Sequence, residues 1–199
     1  MIELNNINKS FGSNNVLRNL NWKIEPNELI YLHGKNGCGK STLLKIICDI
    51  LQPDSGEIKK SDLLNLGALI ENPGFLETEN IKYNLTSLAS LKDNCDINYI
   101  SELCSFFELN FNSNTKLKNY SVGMRQKVGI IQAVMEHQNV ILFDEPTRGL
   151  DDKSIESFIH KVNELKNQGN TIIIASHDYL PSIQFTKRYL LEEGKLILE

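Results

Sequence analysis

Proline, paired cysteines, clustered basic charge and long apolar runs are all scarce in these 199 residues, and each scarcity removes a class of protein. With only 5 prolines, 41% hydrophobic and 23% charged residues, the chain has the composition of a folded globular domain and no disordered tract. Lys and Arg number 21 against 25 Asp and Glu, a net charge of -4. Such a balance gives no basic footprint for DNA or RNA and no basic cluster for an anionic membrane surface, so nucleic acid is excluded as the main partner. The longest apolar runs, such as Ile172-Ile173-Ile174-Ala175, fall far short of the ~20 residues that span a bilayer. The start, Met1-Ile2-Glu3-Leu4-Asn5-Asn6, has no signal-peptide pattern, so a cytoplasmic location is expected. The four cysteines, Cys38, Cys48, Cys95 and Cys104, lack CxxC spacing and a histidine pattern for zinc. They are expected as free thiols, with Cys48 and Cys104 serving as small hydrophobes at apolar helical positions. Trp22, the single tryptophan, falls on the inward side of an alternating stretch and reads as core.

What is present centres on Gly34-Lys35-Asn36-Gly37-Cys38-Gly39-Lys40-Ser41-Thr42. Gly34, four residues, then Gly39-Lys40-Ser41 is the phosphate-loop pattern, in which glycines let backbone N–H groups converge on the phosphates of a nucleotide. The apolar run 28–32 before it reads as a buried strand, and Thr42-Leu43-Leu44-Lys45-Ile46-Ile47 as a helix with its N-terminus toward the anion. An ordinary glycine-rich turn would lack that strand and helix. Lys40 is suited to neutralise β/γ-phosphates, and the Ser41 hydroxyl to ligate Mg²⁺ alongside phosphate oxygens.

Before the loop, Ile2 to Asn8 and Val16 to Ile24 alternate apolar and polar residues, as half-buried strands do. Pro26-Asn27 makes a turn between them and the loop, and Pro53-Asp54-Ser55-Gly56 a second one before strands through Ile58 and Leu66 to Ile70. Residues 73–119 then change character to helices with polar joints. Asp96 is an N-cap candidate there, and apolar residues at 97, 100, 103, 104 and 107 share one face. Later, Val140-Ile141-Leu142-Phe143 is a continuous apolar strand ending in Asp144-Glu145. After a helix from Lys153 to Asn167, Thr171-Ile172-Ile173-Ile174-Ala175 delivers Ser176-His177-Asp178 to the same sheet edge. Asp144 could hold Mg²⁺, and Glu145 orient or deprotonate a water, although such a pair can also be a solvated turn. His177 alone would pass for a satisfied polar residue at a strand end. The chain closes in a hairpin around Glu193-Gly194. One α/β domain is expected over residues 1–199: a catalytic core with an N-terminal antiparallel β subdomain from 1–72 and 120–199, and an inserted helical subdomain at 73–119.

The phosphate loop, Asp144-Glu145 and His177, in this order and with Tyr120-Ser121-Val122-Gly123-Met124-Arg125-Gln126 upstream of the acidic strand, resemble the ATP-binding-cassette (ABC) ATPases over nearly the whole chain. The resemblance implies a mainly parallel sheet and hydrolysis of ATP with Mg²⁺. It implies Glu145 and His177 as catalytic residues and Ser41 and Asp144 as metal ligands. Phe11 stands where that family stacks an aromatic on adenine, although between strands an aromatic as often packs. Ser121, Val122, Gly123 and Met124 stand at the signature motif, which binds the other protomer's ATP; without the family, Ser-x-Gly is a common helix start. Asp151 matches the D-loop carboxylate, and Glu71 replaces the Q-loop glutamine as a further candidate metal ligand. Val122, Met124 and the run from Glu71 to Phe75 resemble the bacitracin- and lantibiotic-type subset that serves peptide export and immunity. That subset implies a homodimer or pseudo-dimer of nucleotide-binding domains on the cytoplasmic face of a membrane permease, docked through Phe75, Leu76 and the helices behind them. A phosphate-loop small-molecule kinase and a non-transport ABC ATPase are the competing readings. The first needs a basic lid of arginines, and Arg125 is the only arginine between the loop and Asp144.

Overall fold

A computed structural model describes residues 1–71, 74–92 and 95–199, with Lys92 described by its backbone alone. The chain forms two sheets. The smaller is antiparallel, in the order β2-β1-β4, from β1 (Ile2–Phe11), β2 (Asn14–Ile24) and β4 (Ser55–Lys60). The larger runs β5-β6-β7-β3-β8-β9, from β3 (Leu29–His33), β5 (Leu66–Leu69), β6 (Val140–Asp144), β7 (Thr171–Ala175), β8 (Lys187–Glu192) and β9 (Lys195–Leu198). Its first five members pair in parallel and only β9 is antiparallel. Residues of β6 and β7 are buried throughout, which is why those strands read as unbroken apolar runs in place of alternation. The expected mainly parallel sheet with an antiparallel N-terminal sheet is therefore the observed architecture.

Strand order decides where chemistry can happen. Between β6 and β3 lies β7, with Asp144 opposite Ala175 and Ala175 opposite Leu32. Three C-terminal strand ends thus stand side by side, carrying the phosphate loop, Ser176-His177 and Asp144-Glu145, and ligand sites of open α/β sheets form at that edge. Helix α1 (Lys40–Ile47) leaves the loop with Leu43, Leu44, Ile46 and Ile47 buried. The hairpin β8-β9 was legible, but its consequence was not. Parallel pairing with β3 brings it against the loop, and Arg18 N–H donates to the Gly194 carbonyl at 2.8 Å, tying the hairpin to β2.

Helices α2 (Ile81–Ala89) and α3 (Ile97–Phe106) follow β5, and α4 (Val122–Val134) returns the chain to β6. Asn80 and Asp96 cap α2 and α3 by accepting from the N–H groups of Tyr83 and Tyr99 at 2.9 and 3.0 Å. Ile81, Leu85, Ile100, Leu103 and Phe107 share one buried cluster with Val128, Ile131, Phe143 and Phe158 of α4, β6 and α5 (Asp152–Asn167), so the inserted helices extend the core. Two expectations need correction. Ile97 is 49% exposed, because the first residue of α3 points past the cluster that its helical face otherwise joins. Gly56 lies inside β4, not in a turn, and a Cβ there would come within 2.6 Å of the Asn6 carbonyl on β1.

Candidate functional site

Two adjoining clefts of about 260 and 320 Å³ open at the shared edge and have Ser41, Asp144 and Glu145 in common. Phe11, Val16, Asn36, Gly37, Gly39, Lys40 and Thr42 line the remainder of the first. Its loop is held tightly on one side. A Cβ at Gly34 would lie 2.4 Å from the Leu191 carbonyl of β8, and one at Gly39 would lie 2.7 Å from Val16 of β2. Both glycines also have positive φ, 149° and 112°, which other residues rarely adopt. Gly39 is the N-cap of α1 and has no side chain to satisfy the helix's first N–H groups, so these are left for an anion, favoured also by the helix dipole. Lys40 is buried, and its ammonium donates to the Gly34 carbonyl at 2.9 Å, curled over the loop. Lys35 and Cys38 also belong to the loop, but Cys38 faces a separate cleft with Asn14, Arg18 and Glu193.

At the acidic end, Asp144 is 5% exposed and its Oδ1 has no hydrogen-bond partner among the described residues. Burial raises its pKa above the usual carboxylate value, an effect that the nearby Ser41 hydroxyl partly offsets and the Glu145 charge reinforces. A buried carboxylate oxygen without a donor, next to a hydroxyl, is a fitting pair of hard ligands for Mg²⁺. No group of three or more His, Cys, Asp or Glu able to hold a metal occurs among the described residues, so phosphate oxygens would have to complete the shell.

Glu145 is fixed from all sides. Its backbone has φ 48°, a left-handed conformation costing a non-glycine residue about 1 kcal/mol or more. Its N–H donates to the Ala175 carbonyl at 2.8 Å, so the ladder with β7 continues one residue past β6. Its carboxylate accepts from Ser176 Oγ (3.1 Å) and His177 N–H (3.2 Å), and His177 Nδ1 lies 2.8 Å from Oε2. His177 therefore meets Glu145 directly and leaves its own ring largely exposed.

Other expected residues gather less closely. Glu71 lines the second cleft, but its carboxylate is paired with Lys45 at 2.7 Å; Asn72 and Pro73 lie outside the described residues. Phe11 lines the first cleft at 52% exposure, with the Lys9 ammonium 5.6 Å from its ring centre. Ser121 caps α4, accepting from Met124 N–H at 3.2 Å, and Val122 is 69% exposed. None of Ser121, Val122, Gly123 or Met124 lines either cleft. A Cβ on Gly123 would lie 2.6 Å from the Gly149 carbonyl, so the start of α4 sits on the turn 145–150. Asp151 caps α5, accepting from Ser154 N–H at 2.9 Å. Sequence reasoning did not single out Gln126 and Arg148, which line the second cleft. The available signal for Gln126 was a polar residue on the inward side of an otherwise apolar helix, where burial demands a specific hydrogen bond.

A family model described as "ABC transporter" matches residues 17–148. The chain belongs to the ABC transporter family. It is an ATP-binding, ATP-hydrolysing subunit of that family, and the small-molecule kinase reading falls away. Among its ABC relatives, a lantibiotic transport ATP-binding protein of Streptococcus pyogenes is 30% identical over 100% of this chain and 90% of its own length. A bacitracin transport ATP-binding protein of Bacillus licheniformis is 28% identical over 100% of this chain and 69% of its own. These relatives agree with the subset suggested by Val122, Met124 and Glu71. In fold, the chain matches a dimeric ATP-binding cassette in a post-hydrolysis state with ADP and Pi, with a TM-score of 0.88, 24% identity and coverage of 100% and 98% of the two chains.

Proposed function

We propose that this ABC ATPase drives a separate membrane permease that exports an amphipathic peptide of the lantibiotic or bacitracin kind, working as a pair of nucleotide-binding domains. The observation that carries the paired arrangement is the position of Ser121 to Met124: at the N-terminus of α4 and outside both clefts of their own chain, with Ser121 and Val122 exposed and Gly123 and Met124 half-buried. Donors so placed serve a phosphate presented by another copy. The cargo class rests on the full-length likeness to the lantibiotic transport protein. Among the described residues no helix is long and apolar enough to cross a membrane, so force must pass to a partner that does. Exposed Leu76 and Tyr83, with half-buried Phe75 behind them, make the surface for that partner and keep the assembly on the cytoplasmic face.

Adenine stacks on Phe11, the phosphates lie along Gly34 to Thr42, and Lys40 turns from the Gly34 carbonyl to the β/γ-phosphates. Ser41 and Asp144 would hold Mg²⁺, with Glu71 free to join once it leaves Lys45, and when bound it would supply neutralisation of charge on the phosphate oxygens. Glu145 orients a water and takes its proton as the oxygen bonds to the γ-phosphorus and the bond to the bridging oxygen breaks, giving ADP and phosphate. His177 holds the Glu145 carboxylate through Nδ1 and faces the γ-phosphate with its exposed ring edge. Ser121 and Gly123 of the other copy cap the γ-phosphate, with Asp151 beside the seam, so ATP joins the two copies and its cleavage parts them.

The test is Glu145→Gln with Mg-ATP. Size-exclusion chromatography should show a persistent nucleotide-bound dimer with hydrolysis lost, and the tagged variant should retain a membrane protein on purification from solubilised membranes. A variant that stays monomeric while the parent dimerises would refute the paired site. Failure to recover a membrane partner with either form would refute the transport role.

A further inference from the structure

Gln126 is 8% exposed and lies one turn into α4, on the side facing the end of β6. Its Nε2 donates to two consecutive carbonyls, Glu145 at 3.1 Å and Pro146 at 2.9 Å. The reverse amide orientation would set oxygen against oxygen at both, so the geometry fixes which end donates. Those two carbonyls belong to the residue with φ 48° and the one after it, where the chain leaves the β-ladder. Gln126 and Glu145 line the same cleft. The Glu145 carboxylate is anchored from the β7 side by Ser176 and His177. On the opposite side its carbonyl accepts from Arg148 N–H at 3.2 Å within the turn, and Gln126 is the side chain that ties this carbonyl and that of Pro146 to α4.

We propose that Gln126 is a positioning residue for the hydrolytic step: its two-carbonyl clamp maintains the left-handed backbone at Glu145 and so aims that carboxylate at the attacking water. The inference rests on Glu145 being the base. A small misplacement of such a group lowers turnover without touching nucleotide contacts, because Gln126 meets the backbone after Asp144 and does not line the first cleft.

Gln126→Met keeps length and apolar bulk but removes both donors, and Gln126→Asn keeps the amide one methylene short of reach. For each, ATPase turnover, binding of a non-hydrolysable ATP analogue and melting temperature are measured beside Glu145→Gln. Expected for both is a loss of kcat of about 10- to 100-fold, with analogue Kd within about twofold and folding intact. Undiminished kcat in a folded variant, or a kcat loss matched by an equal loss of analogue affinity, overturns the proposal. So does failure of both variants to fold, since that makes Gln126 a packing residue. Should Glu145→Gln itself hydrolyse ATP normally, the base assignment fails instead, whatever the Gln126 variants do.

Discussion

Replacing Asp144 with Asn should make the nucleotide-free protein more stable and the nucleotide-loaded protein less so. In the free protein Asp144 is a buried carboxylate whose Oδ1 has no donor among the described residues, and burial raises its pKa above 3.8. As pH rises from that unfolded-chain value, the folded state keeps a proton that the unfolded chain has already released. The group's contribution to stability therefore falls through the window between 3.8 and the raised value, and above it the whole penalty remains. An unsatisfied buried polar group costs about 1–3 kcal/mol, more when charged. Asn keeps the shape and the acceptor but removes the charge, so recovery of about 1 kcal/mol is expected, which for a domain of this size raises Tm by about 2–4 °C. Scanning calorimetry in EDTA at neutral pH should show that rise, and it should shrink on acidification through the window. With Mg-ATP at about 100 times its Kd, the parent gains roughly 2.7 kcal/mol by linkage, whereas the variant, short of a metal-binding oxygen, gains far less. The two melting curves should cross in order. A variant less stable than the parent in EDTA, or equal nucleotide stabilisation of both, would show that the buried charge of Asp144 is not held in reserve for the ion.

Gly123→Ala brings a methyl within 2.6 Å of the Gly149 carbonyl, a backbone atom unable to yield alone. Overpacking of about 1–3 kcal/mol should lower Tm measurably and cut ATPase activity; an unchanged rate at unchanged Tm would show that the start of α4 can shift freely. Glutamates at Leu76 and Tyr83, both at least half exposed, should abolish co-purification of the membrane partner and leave ATP hydrolysis by the isolated chain intact. Retained partner would place the docking surface elsewhere. Maleimide should act on ATP binding through Cys38, half-buried in the phosphate loop, before Cys48 or Cys104, whose thiols burial pushes up to about 12. Full modification of Cys38 with unaltered nucleotide affinity would contradict this.

Sheet architecture and the nucleotide edge were legible because their causes are local. Continuous apolar strands announce a buried parallel sheet, and a glycine-rich loop between strand and helix announces an anion site. Asn27, at φ 58° after Pro26, and Asp96, capping α3, also followed from single-residue chemistry. What could not be read depends on which distant segments meet. Nothing in Glu193-Gly194 says that its hairpin will lie beside β3 and put Leu191 against Gly34. Glu71 read as a metal ligand from its place, yet Lys45, 26 residues away, holds its carboxylate in the free protein. Gln126 was passed over because an inward-facing amide does not say which groups it will bond until the turn after β6 is known to run beneath it.

The first turns of α4 join three parts of the molecule at unequal strength. Gly123 rests on the Gly149 carbonyl and Gln126 grips two carbonyls of the same turn, contacts shielded from water that resist sliding. On its other side Arg125 reaches the inserted helices through Glu77, at 2.5 and 3.4 Å, and that pair is solvent-screened, with Arg125 holding the Glu77 carboxyl below its usual range. A displacement of the turn 145–150 would therefore carry α4 with it and pass to the inserted helices through the buried cluster that Val128 and Ile131 share with Ile81, Leu85, Ile100 and Leu103. Since Tyr83 lies on α2 and Leu76 just before it, that cluster connects the nucleotide edge to the surface proposed for the permease, and the exposed Arg125–Glu77 pair adds little to it. In that arrangement coupling runs both ways: a nucleotide-driven shift of Glu145 moves α4 and the docking surface, and docking biases the same turn by an equal free energy.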